Sequence, residues 1–147
     1  HTEMQRIDYN VQTPLQLARV DGRIDEDFDE SIALEVIEKG SAVHCVSAYE
    51  GDILVLGSDG VFDNLFLDEI VEICNDILQP SKTGEFVPMP PSMLSQVAQR
   101  IVKDSHMKSD AQNGQFLDTP IGKGGKVDDT SVVVAEIVEW TEGHKEI

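Results

Sequence analysis

A chain of 147 residues has the size of one domain, and a hydrophobic content of 40% is enough to build a packed core. With 28 acidic against 11 basic side chains its net charge is −17, which repels phosphate backbones and anionic lipid, so neither nucleic acid nor a membrane is a suitable partner. No run reaches the roughly 20 apolar residues of a membrane span, and no signal-peptide pattern opens the chain. Cys45 and Cys74, the only cysteines, form neither a disulfide framework nor a CxxC pair, which points to a reducing, intracellular compartment.

In chain order, residues 4–17 mix β-branched and polar side chains up to Pro14, a pattern for a strand and then a turn. Residues 21–31 (DGRIDEDFDES) form an acidic loop. The stretch 42–49 (AVHCVSAY) is expected as a strand that Glu50-Gly51-Asp52 turns back. Residues 53–57 (ILVLG) then form an uninterrupted apolar strand, of a kind buried on both faces. After the polar turn SDGVFDN comes a helix from about Leu67 to Leu78, with Asp68 and Glu69 favouring its N-terminus and Pro80 stopping it. A Pro-rich loop leads to a second helix over 92–107, where Met93, Leu94, Val97, Ala98, Ile101 and Val102 share one face at 3,4 spacing. Residues 108–126 are expected as loop, ending in GKGGK, and Ser131 to Val138 as a second buried strand. Strands and helices come in blocks, which favours a layered α+β fold or a mixed sheet over a doubly wound one.

Two acidic positions stand out because of the strands beside them. Asp59 lies just past the end of ILVLG, and Asp128 and Asp129 lie just before SVVVAEIV. Antiparallel pairing would place the end of the first strand beside the start of the second, clustering these carboxylates at one rim. Clustered carboxylates repel and are tolerated mainly when a cation neutralises them. Hard oxygen ligands select Mg²⁺, Mn²⁺ or Ca²⁺. Gly57 and Gly60 let the backbone turn tightly around Asp59, and Asp63 follows within reach of the same cation. Two polar hairpin turns without any ligand would produce the same pattern.

SDGVFDN preceded by GDILVLG is similar to a signature of type 2C metal-dependent protein serine/threonine phosphatases, and GGKVDDTSVVV resembles the last signature of that family. The two come in the family's order, with a two-helix segment between them. PLQLARV and VAQRIVKDSHMKSD look like a short subgroup that includes mitochondrial members. The resemblance implies that residues 1–147 are the C-terminal portion of a catalytic domain, an antiparallel β-sandwich flanked by helices. It also implies a phosphoric monoester hydrolase acting on phosphoserine and phosphothreonine in proteins, with Mg²⁺ or Mn²⁺ lowering the pKa of a bound water. By position, Asp59 and Asp128 match two metal-binding aspartates, and Asp63 matches an aspartate of a further, weaker metal site. Asp129 matches a variable neighbour.

The family's Asp-Gly-His segment and its phosphate-gripping arginine have no counterpart here, and the DGR at residues 21–23 stands in the wrong order. The isolated chain is therefore expected to hold part of a metal site and to be inactive without the N-terminal half of the domain. The alternative is a non-catalytic pseudophosphatase, or an acidic interaction module that binds divalent cations.

Other features fall away. Asp25, Asp27 and Asp29 begin like an EF-hand loop, but Glu30 and Val36 stand where Gly and Glu are required. GKGGK lacks the spacing and the Ser/Thr of a phosphate-binding loop. His44 and Cys45, adjacent in an expected strand, would face opposite sides. His106 and His144 have no evident partner, and Phe62 and Trp140 are expected as packing anchors.

Overall fold

The apolar runs that flank the acidic turns pair with each other. In the computed structural model, which describes residues 1–2, 43–79, 86–110 and 115–140, strand β1 (Ile53–Gly57) lies antiparallel to β4 (Val132–Glu136). The register runs from Ile53 opposite Glu136 to Gly57 opposite Val132. Between them come a single-turn helix α1 (Asp59–Phe62), helices α2 (Leu67–Ile77) and α3 (Pro91–Ser109), and a minimal hairpin of β2 (Asp118–Thr119) with β3 (Gly122–Lys123). The chain divides into two compact units, His1–Val46 and Ser47–Ile147, and all of these elements belong to the second. The strand and turn expected over 4–17 and the acidic loop at 21–31 lie outside the described residues.

Strand alternation sends Ile53, Val55, Val132 and Val134 to one face of the β1–β4 pair. There they meet a core of Val61, Leu65, Ile70, Ile73, Leu78, Val97 and Ile101. Helix α3 packs on β4, and α2 packs on α3. The 3,4 spacing put Val97 and Ile101 at the centre of the apolar face, and both are fully buried. Burial of side chains this size supplies about 1.5–3 kcal/mol each, which makes this face the main anchor of α3. Glu69, three residues into α2, accepts a 2.8 Å hydrogen bond from the Phe66 N–H and so closes the helix start. The Lys108 ammonium reaches the same carboxylate at 2.6 Å and ties the end of α3 to the start of α2.

Several expectations need correction. Neither strand is buried on both faces: Leu54, Leu56 and Val133 point away from the core and are exposed. Continuous apolarity made the two faces look alike, but the described helices cover only one of them. Residues 43–49 form no strand. Only the turn that follows them is present, with the Asp52 N–H on the Tyr49 carbonyl at 3.0 Å and Gly51 at φ 90°. Residues 108–126 are not a continuous loop, because α3 runs to Ser109 and β2–β3 folds back on itself. Trp140 is 70% exposed and lies outside the buried core of the described residues, whereas Phe62 does pack against that core.

Candidate metal centre at the sheet rim

Beyond the last ladder pair, the two chain segments stay locked together. The Ser58 N–H bonds the Ser131 carbonyl at 2.9 Å. The Ser58 hydroxyl donates to the Asp129 carbonyl and accepts from the Ser131 N–H, both at 3.1 Å. Ser58 occupies the N-cap position of α1 without capping it, because its hydroxyl is engaged across the rim instead. Gly60 permits this close approach: a Cβ there would stand 2.7 Å from the Asp129 carbonyl oxygen and 2.8 Å from Thr130 Oγ1. Its role is therefore contact between segments, not the tight turn expected from the sequence, since it sits inside α1.

This lock brings Asp59 and Asp128 to the same rim. A single ammonium, that of Lys126, lies 2.7 Å from Asp128 Oδ2 and 3.9 Å from Asp59 Oδ2. The two oxygens are thus separated by no more than those two lengths end to end. Both side chains are about one-third exposed, at 33% for Asp128 and 30% for Asp59, so the site opens to solvent. The hydrogen bond from Lys126, and after it the N–H of Asp129, hold the Asp128 carboxyl below the usual carboxylate range. The same hydrogen bond is the largest influence raising the Lys126 ammonium above its ordinary value, and the charges of Asp59 and Asp63 add to it. Asp63 follows one turn after Asp59, with its N–H on the Asp59 carbonyl at 2.8 Å, and is fully buried. Asp129 is exposed and takes part through its backbone, with its carbonyl on the Ser58 hydroxyl and its N–H on the Asp128 carboxylate.

Asn64 positions the lysine. Its side-chain amide, 1% exposed, donates to the Gly60 carbonyl at 2.9 Å and to the Lys126 carbonyl at 2.8 Å. It accepts from the Lys126 N–H at 2.9 Å. Gly125, at φ 55°, must lack a Cβ, because one would collide with Asn64 Oδ1. Neither Asn64 nor Lys126 stood out in the sequence as part of the site. The available signal was the pair of glycines before Lys126, which marks a loop that passes close to other backbone.

The donor set fits a hard divalent cation. Two carboxylates face a common point, and that point already accepts a positive charge. Among the described residues, no group of three or more His, Cys, Asp or Glu side chains could hold a metal by itself. The remaining ligands would have to come from elsewhere in the complete protein.

No family model and no solved structure matches the chain. Curated sequences do match it. It is 33% identical over 107 residues to "Probable protein phosphatase 2C 26" of Arabidopsis thaliana, covering 63% of this chain and 33% of that protein. It is 34% identical over 104 residues to "Probable protein phosphatase 2C 1" of Oryza sativa subsp. japonica, covering 63% and 29%. It is 31% identical over 102 residues to "Probable protein phosphatase 2C 62" of Arabidopsis thaliana, covering 66% and 13%. The matched region thus spans a third or less of each of these relatives.

Proposed function

We propose that this protein phosphatase 2C-like chain, of α+β architecture, is the C-terminal portion of a catalytic domain and contributes part of the divalent-metal site. With that site the complete protein hydrolyses phosphoserine and phosphothreonine in other proteins. The observation that carries the reading is the meeting of Asp59 and Asp128 around one positive charge at the rim of the β1–β4 pair. Asp59 and Asp128 would hold Mg²⁺ or Mn²⁺ through one oxygen each, and Asp63, one turn after Asp59, would join a further, weaker metal site. A divalent cation bound there supplies Lewis-acid activation of water and stabilises negative charge developing at phosphorus. The residues of this chain hold the carboxylates in place. Ser58 fixes the separation of the two turns, and Asn64 fixes the loop that leads into Asp128. Both cysteines are free thiols, which supports an intracellular setting. The phosphoprotein substrate and the rest of the domain are the partners this reading requires.

The test is turnover of a small aryl phosphate by the full-length protein with Mn²⁺. Activity that needs Mn²⁺ and falls by orders of magnitude in Asp59→Asn, with the fold intact, supports the reading. Wild-type turnover by Asp59→Asn at limiting Mn²⁺ refutes it and leaves an interaction module as the better account.

A further inference from the structure

The cation between Asp59 and Asp128 belongs to the protein itself. Lys126 is anchored at its backbone by Asn64 on both its N–H and its carbonyl, so its side chain can move while its loop stays in place. That side chain is a flexible four-carbon stem, and here it is about one-third exposed, at 32%. It therefore has a route into solvent. A divalent ion bonded to Asp128 Oδ2 would lie about 2.0–2.6 Å from that oxygen, the region where the ammonium stands at 2.7 Å. Two positive centres cannot share it without strong repulsion.

We propose that Lys126 is a built-in counter-cation. It neutralises the Asp59–Asp128 pair while no divalent ion is bound, and it must withdraw before one can bind. The inference rests on the metal-site reading of these two aspartates and adds a regulating element to it. Without Lys126 the Asp59 and Asp128 carboxylates would lose the ammonium that lies between them, in a chain of net charge −17. The lysine therefore preserves the metal-free geometry. A partly exposed ion pair is worth at most about fivefold in an equilibrium constant. The placeholder is accordingly weak enough for a divalent ion to displace, and it sets the threshold concentration at which loading occurs. Once withdrawn, the ammonium stays tethered beside the site.

The experiment measures Mn²⁺ binding by calorimetry and the thermal midpoint in chelator at low ionic strength. It compares the full-length wild type with Lys126→Met, Lys126→Arg and Asp128→Asn. Lys126→Met is expected to bind Mn²⁺ roughly two- to fivefold more tightly and to melt at a lower temperature in chelator, and Lys126→Arg is expected to recover the wild-type midpoint. The opposite signs of the two effects separate a placeholder from a structural residue, whose loss would lower both affinity and midpoint. Unchanged or weakened Mn²⁺ binding by Lys126→Met overturns the inference alone, provided that wild-type binding disappears in Asp128→Asn. Wild-type protein whose Mn²⁺ binding survives Asp128→Asn, or that binds none, overturns the metal-site reading and this inference with it.

Discussion

Replacing Asn64 by alanine isolates the device that connects α1 to the loop before Asp128. The change removes three hydrogen bonds, those to the Gly60 carbonyl, the Lys126 carbonyl and the Lys126 N–H. Each is worth about 0.5–1.5 kcal/mol net, and backbone groups left buried without a partner add to the loss. The amide is almost wholly buried, so water cannot substitute without entering the core. A destabilisation of about 2–4 kcal/mol follows. In a cooperative unit of about 100 residues that lowers the melting temperature by roughly 10 °C or more. Urea unfolding followed by circular dichroism measures it, with the slope m unchanged if the effect is on stability alone. A loss below about 0.5 kcal/mol, the range of an ordinary surface substitution, would show that Asn64 does not hold the two segments together.

Gly60→Ala should separate the two acidic turns, because its Cβ meets the Asp129 carbonyl and Thr130 Oγ1 inside contact distance. A stability loss of about 1–3 kcal/mol is expected, together with weaker Mn²⁺ binding by the full-length protein, and unchanged calorimetric titrations would refute it. In metal-free protein the Asp128 carboxyl should titrate below its ordinary value of 3.8. Its folded pKa is depressed, so its stabilising contribution is present above the unfolded value and is lost as pH falls through the folded one. Carbon-13 shifts of the Asp128 carboxyl measure the midpoint, which should return toward the ordinary value in Lys126→Met. Purified residues 1–147 should show little or no phosphatase activity with Mn²⁺. Robust turnover would mean that this portion alone carries the chemistry.

Much of the framework could be read from local pattern. Two apolar runs ending and beginning in acidic turns predicted the β1–β4 pairing, because antiparallel strands bring the end of one beside the start of the other. The 3,4 spacing of Val97 and Ile101 predicted the buried face of α3. What local pattern could not show depends on distant partners. Asn64 and Lys126 lie 62 positions apart, and nothing in the periodicity near either residue signals their hydrogen bonds. The exposure of Leu54, Leu56 and Val133 likewise depends on what covers the second face, not on the strands themselves. The hairpin at 118–123 was hidden because two-residue strands are too short to show alternation. Lys126 lies in a loop without local pattern, and its importance rests on a charge contact that only the fold creates.

The central claim is that Asp59 and Asp128 hold the same divalent ion. Crystals of the full-length protein soaked in Mn²⁺ test it directly through the anomalous scattering of the metal. The account predicts a peak between the two carboxylates, bonded to one oxygen of each at roughly 2.0–2.6 Å, with the Lys126 ammonium displaced from Asp128 Oδ2. An ammonium still at Asp128 with no peak beside it, or a peak bonded to neither aspartate, would contradict the account.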